Sequence, residues 1–167
     1  MVEAPSKKYL LEQVATMSQA IIPEVEKLIS VCRDGEDLFR HAASVATNTH
    51  LKPLFEEYAW QRHQFVDELQ TEAVAFGEDS PTESGSASGA ARRGWVKLRD
   101  AVFTPAEKTL LDDCDREGDA TRDAYRSAIE VKDLPDSLRD IVARQYAEIT
   151  TAHQYLRDLR DGVAPSR

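Results

Sequence analysis

What this chain lacks narrows the field first. It holds two cysteines in 167 residues, Cys32 and Cys114, too few for a disulfide framework and in keeping with a reducing compartment. No stretch approaches the ~18 apolar residues of a membrane span, and the opening MVEAPSKKYLLEQ has no apolar run long enough for a signal peptide. A cytoplasmic location without membrane contact is therefore expected. Runs of β-branched residues are missing, and the 7 glycines and 7 prolines fall mostly between periodic segments, which argues for helices rather than sheets. Basic charge is short as well: 21 Lys and Arg against 30 Asp and Glu leave −9, a balance that repels nucleic acid and anionic lipid. Only Arg92, Arg93, Lys97 and Arg99 form a compact basic cluster, so no nucleic-acid partner is expected.

What is present is helical periodicity. From about Pro23 to Ala46, the residues Ile29, Cys32, Glu36, Phe39, Ala43 and Ala46 recur in steps of three and four, the seam of a bundle helix. A second seam, Leu51, Leu54, Tyr58, Arg62, Phe65, Leu69 and Phe76, ends at Gly77. Thr104-Pro105-Ala106-Glu107 is a capping box with proline at the first helical position, so a third helix starts there. Its seam is Leu111, Cys114, Gly118, Thr121, Tyr125 and Ala128. The fourth starts near Leu134-Pro135, repeats through Leu138, Val142, Ile149, Ala152, Leu156 and Leu159, and stops at Gly162. Residues 1–22 carry a further helical pattern, Leu10, Leu11, Val14, Met17 and Ile21, read as an N-terminal extension that packs on the bundle or on a second chain.

Connection lengths set the expected topology. Helices one and two, and three and four, are joined by a few residues and should be antiparallel neighbours. Residues 78–104 are different, because a Gly/Ser-rich stretch (GEDSPTESGSASGAA, 77–91) and the short amphipathic RRGWVKLRDAVF together suffice to travel the ~37 Å length of a 25-residue helix. The expectation is an all-α, ferritin-like four-helix bundle over residues 23–161, two hairpins joined by a long crossover, followed by a tail at 162–167. DGEDLFRHAA, RHQFVDEL, RRGWVKLRDAV, CDREGDATRDAYRSAI and LPDSLRDIVARQYAEITTAHQYLRDLRD, spread over about residues 27–161, resemble an uncharacterised bacterial family of four-helix-bundle proteins, a domain of unknown function placed in the ferritin-like superfamily. The resemblance implies the fold and a stress-related setting. It implies no established reaction.

CRDGEDLFRHAA (32–43) and CDREGDATRDAY (114–125) are the same phrase said twice. Aligning the two glycines sets Glu36 opposite Asp119. Counting back from the turns sets Glu36 level with Trp60, Gln61 and Arg62, and Gln145 and Glu148 level with 119–122. A mid-bundle polar layer of Glu36, Arg62, Asp119 and Gln145 is expected, with Glu36 paired to Arg62 because a buried charge requires a partner. The rival reading is an iron or manganese carboxylate site on Glu36, Glu117 or Asp119, Glu148 and His153. Such sites use a Glu-x-x-His on two helices, and here His63 is preceded three positions back by Trp60 and His153 by Thr150. A third reading sets Cys32 level with His63 and Cys114 with His153 as thiol–imidazole pairs for zinc. The expectation is a non-enzymatic protein without cofactor that forms homo-oligomers or binds a protein partner, through the N-terminal segment and the crossover at Trp95. The alternative is a di-metal oxidoreductase or metal-storage protein.

Overall fold

The structure, a computed structural model, describes residues 7–75 and 103–162, with backbone alone for most positions before Ile21. These residues form four α-helices: α1 (Lys7–Val45), α2 (Leu51–Ala75), α3 (Pro105–Ile129) and α4 (Asp136–Asp161), with no strand among them. Among the described residues no helix is long and apolar enough to cross a membrane.

The helix ends follow from local chemistry. Asn48 opens α2, its Oδ1 accepting from the backbone N–H of His50 (2.9 Å) and Leu51 (3.2 Å). Thr104 caps α3 in the expected box: its hydroxyl accepts from Glu107 N–H at 3.2 Å and the Glu107 carboxylate returns to Thr104 N–H at 2.9 Å. Arg139 donates to the carbonyls of Ile129 (2.8 Å) and Val131 (3.2 Å), tying down the last turn of α3. Gly162 ends α4 at φ 67°, the left-handed region that a side chain disfavours.

One boundary differs from the sequence reading. The helix expected to open at Pro23 and the separate extension before it are one helix, unbroken from Lys7 to Val45 with Pro23 inside. A proline removes one backbone hydrogen bond, and the apolar run on both sides supports the helix across that gap: Ile21, Val25 and Leu28 are each 1% exposed while Pro23 faces solvent.

Polarity follows from contacts between helices. Cys32 meets Tyr125 and Thr47 meets Glu107, so α1 and α3 are antiparallel. Ser137 meets Glu72, Gln145 meets Glu68 and Gln61 meets Glu148, so α2 and α4 are antiparallel. It follows that α2 and α3 run the same way, and the chain leaves Ala75 at one end of the bundle to re-enter at Phe103 at the other. The connecting residues 76–102, Trp95 included, lie outside the described residues.

The core has two apolar halves. One is built on Leu28, Phe65, Leu69, Tyr125, Leu138 and Ile149, the other on Phe39, Leu51, Phe55, Leu111 and Leu156. Between them, at the level of Gly35 and Gly118, lies a belt of polar groups.

Candidate functional site: the mid-bundle polar belt

Arg62 stands at the centre of the belt, 1% exposed. Its guanidinium carbon lies 5.6 Å from the Phe39 ring centroid and 5.9 Å from that of Phe65, a cation–π arrangement bridging the two apolar halves. Nη1 donates to Gln61 Oε1 at 3.1 Å, and Nε has no hydrogen-bond partner. The expected Glu36–Arg62 pair does not form. Glu36, 7% exposed, instead pairs with Arg40 one turn on and with His63 Nδ1 at 3.2 Å. The reason is rotational: one residue along a helix turns the side chain by about 100°, so His63 faces Glu36 and Arg62 faces inward.

An acid from the other hairpin approaches Arg62 beside Gly35. Glu117 lays its carboxylate on Gly35: a Cβ built there would stand 2.5 Å from Glu117 Oε1 and 3.2 Å from Arg62 Nε. Glu117 Oε1 accepts from Thr121 Oγ1 at 2.6 Å, while Oε2 is buried without a partner. The missing side chain at position 35 therefore admits a carboxylate and a guanidinium to one place.

Gly118 does the same for an imidazole. His153, 3% exposed, packs its ring on that glycine, where a Cβ would lie 2.8 Å from Cγ. Arg122 can only donate, so His153 Nδ1 accepts from it at 3.3 Å and the ring proton sits on Nε2. That N–H points to Asp115, 2.8 Å from Oδ1 and 3.1 Å from the carbonyl. Asp115 also receives Arg157 Nε at 2.8 Å and Arg160. Burial raises the Asp115 pKa, but hydrogen bonds from Arg157, Arg160 and His153 outweigh it and hold the carboxyl at about 2.

Gln145, fully buried, donates from Nε2 to Phe65 O (3.4 Å) and Glu68 Oε2 (2.7 Å). Its Oε1 must then accept, from the Tyr125 hydroxyl at 2.7 Å, and Cys32 donates in turn to Tyr125 Oη at 3.0 Å. Burial pushes the Cys32 thiol up to about 11 and Cys114 to about 12, so neither offers a thiolate near neutral pH. Cys32 lies on Tyr125, and neither cysteine joins a cluster of metal-ligating groups among the described residues.

Of the residues singled out from sequence, Glu36, Arg62 and Gln145 are buried in the belt, whereas Asp119 is a half-exposed side chain on the rim, 3.2 Å from Arg157. The proposed ligands Glu36, Glu117, Glu148 and His153 do not converge. Glu148 lies at the surface on Arg144 (3.1 Å) and Gln61 (3.4 Å). Asp115, Asp119 and His153 bring ligand atoms within 4.8 Å of one another, but Arg157 and Arg160 already hold the carboxylates and His153 presents a proton. A dication here would have to displace Arg157 and Arg160 from the carboxylates and the proton from His153 Nε2. Asp115 and Trp60 were passed over in the sequence. Asp115 and Asp119, one turn apart, face His153, Arg157 and Arg160 in steps of four and three, and that matched spacing was the available signal.

Residues 20–131 match the model of a family described as a domain of unknown function, DUF2383. The chain belongs to that family. No curated protein matches it. The DUF2383 span takes in Glu36, Arg62, Gly35, Asp115 and Glu117 but ends before α4, so Gln145, His153 and the two arginines on Asp115 come from beyond it.

Proposed function

We propose that this DUF2383 protein is a ferritin-like bundle without a catalytic centre, working by assembly with further copies of itself or with a protein partner in a stress-related setting. The observation that carries the reading is Arg62: a permanent charge fills the level where a bundle of this kind would hold a dication, with Glu36 paired to Arg40 and His63 and Glu117 bonded to Thr121 through one oxygen. The parallel course of α2 and α3 supports the ferritin-like assignment. Assembly is supported by α1, 39 residues long against 25 in α2. Its first turns extend past the end of its hairpin partner and carry the Leu10, Leu11, Val14, Met17 pattern.

Two measurements on protein purified without chelator test this. Elemental analysis should find iron and manganese well below one equivalent, and light scattering behind size exclusion should give a mass above the 18.7 kDa chain or a stable complex with a co-purified protein. Stoichiometric iron or manganese that disappears in Glu117→Ala or His153→Ala would establish the oxidoreductase or storage reading instead.

A further inference from the structure

The first turns of α1 stand clear of the other described helices. Counted back from the α1–α2 turn, Ala75 at the end of α2 comes level with position 21, and α4 begins near the same level, where Ser137 meets Glu72. Residues 7–20 therefore run on past the bundle for about 21 Å. At about 100° per residue, positions 10, 14 and 17 (Leu, Val and Met) fall within about 80° of Ile21, Val25, Leu28 and Cys32. Those four are at most 1% exposed, covered by the rest of the bundle, so the core face of α1 continues along the overhang.

No later segment of the chain reaches that stripe with anything large and apolar. Thr104 is fixed beside Thr47 through Glu107, and Met17 lies about 45 Å along α1 from Thr47. Trp95, nine positions before Thr104, spans at most about 32 Å fully extended, and Val96, Leu98 and Val102 reach less far. Residues 77–91 are distant enough from Thr104 to reach, but they carry nothing apolar beyond alanine and one proline. Residues 163–167 leave α4 from the far end, beside the core half built on Phe39 and Leu156.

A second copy supplies what is missing. Leu10 and Met17 stand one turn on either side of Val14, so the stripe meets its own image in a two-fold antiparallel pair. Parallel pairing is barred, because a second α1 running the same way on that face would continue into the space filled by the rest of the first bundle. Antiparallel pairing sets the two bundles at opposite ends. It also carries Lys7 and Lys8 of each copy to the root of the other's overhang, where Glu24 stands. Glu24 Oε2 is buried with no hydrogen-bond partner among the described residues, and Val74, 39% exposed at the end of α2, adds an apolar group at that level. Resting on the assembly reading above, we infer that the chain forms an antiparallel dimer with a second copy through residues 7–20, with Lys7 and Lys8 of each copy set against Glu24 of the other.

Sedimentation velocity of the full chain, purified without chelator, should give twice the 18.7 kDa of one chain. Val14→Glu should raise the dimer dissociation constant about a hundredfold or more while leaving a folded, cooperatively melting bundle, since position 14 lies outside it. Glu24→Lys alone, and Lys7→Glu with Lys8→Glu, should each raise it about tenfold, and all three changes together should bring it back to within about threefold of the parent. Positions 7 and 24 are about 25 Å apart on one helix, so that restoration can arise only between copies. A monomeric parent, a dimer indifferent to Val14→Glu, or a triple variant no tighter than its components would each overturn the antiparallel dimer. A monomer that co-purifies with a different protein would overturn it and leave the assembly reading standing, whereas a monomer with stoichiometric iron or manganese would remove both.

Discussion

Gly35 and Gly118 occupy matching places in the doubled phrase, and each is empty for a different neighbour. Alanine at 118 would press on the His153 ring, buried and held at both nitrogens, so the ring has nowhere to go. Alanine at 35 would meet the end of the Glu117 side chain, which has free rotors. Replacing a mid-helix glycine by alanine also gains up to ~1 kcal/mol of helix propensity. Urea denaturation should therefore show Gly118→Ala less stable by ~1–3 kcal/mol, the usual cost of overpacking. Gly35→Ala should stay within ~1 kcal/mol of the parent once that propensity is counted. The reverse order would show that Glu117, not His153, is the immovable group. The sequence signalled both glycines by repetition, but not what lies on them, because the contacting side chains come from other helices.

At the scale of elements, helix identity was legible because it depends on short-range patterns: the capping box at Thr104, the stop at Gly162 and, among the described residues, the three-and-four seams of the four bundle helices appear where expected. Pairing of side chains across helices was less legible. Levels counted from a turn carry an error of one residue, harmless to a seam and decisive for an ion pair, which is why Arg62 was assigned to Glu36 and His63 was not. Pro23 misled for a related reason: a proline marks a helix start only where flanking burial does not carry the helix through it. Arg62 of the first hairpin and Glu117 of the second stand side by side at Gly35. A double-mutant cycle of Arg62→Met with Glu117→Gln should give a coupling energy of ~1 kcal/mol or more, and Arg62→Met with Glu36→Gln should add within ~0.5 kcal/mol. Coupling confined to the Glu36 pair would restore the first-hairpin ion pair and break this account.

For the whole molecule, two carboxylates make the bundle acid-sensitive, Glu107 by joining the hairpins and Asp115 by tying together the two helices of the second. Glu107, 2% exposed, accepts from Thr47 N–H (3.0 Å), Thr47 Oγ1 (3.0 Å) and Asn48 N–H (2.7 Å) on one oxygen, and from Thr104 on the other. A single side chain thus fastens the α1–α2 turn to the start of α3. Burial raises its pKa, but the hydrogen bonds from Thr104, Asn48 and Thr47 prevail and bring it from 4.5 to about 2. Asp115, which ties α3 to α4, falls from 3.8 to about 2. Both values are lower in the folded state, so the folded chain binds fewer protons than the unfolded one. The stabilisation is complete above about pH 4.5 and is lost progressively as pH falls toward 2. Denaturation midpoints measured from pH 6 down to pH 2.5 should therefore decline steeply below the unfolded-state values. Glu107→Gln should lower stability at pH 6 by ~1.5–3 kcal/mol, the scale of hydrogen bonds to a charged group, and flatten the decline. Asp115→Asn should flatten it further when combined, because the two sites lie on separate networks and their effects should add. A parent and a double variant with the same acid slope would place the acid sensitivity elsewhere in the molecule and remove these two carboxylates as its source.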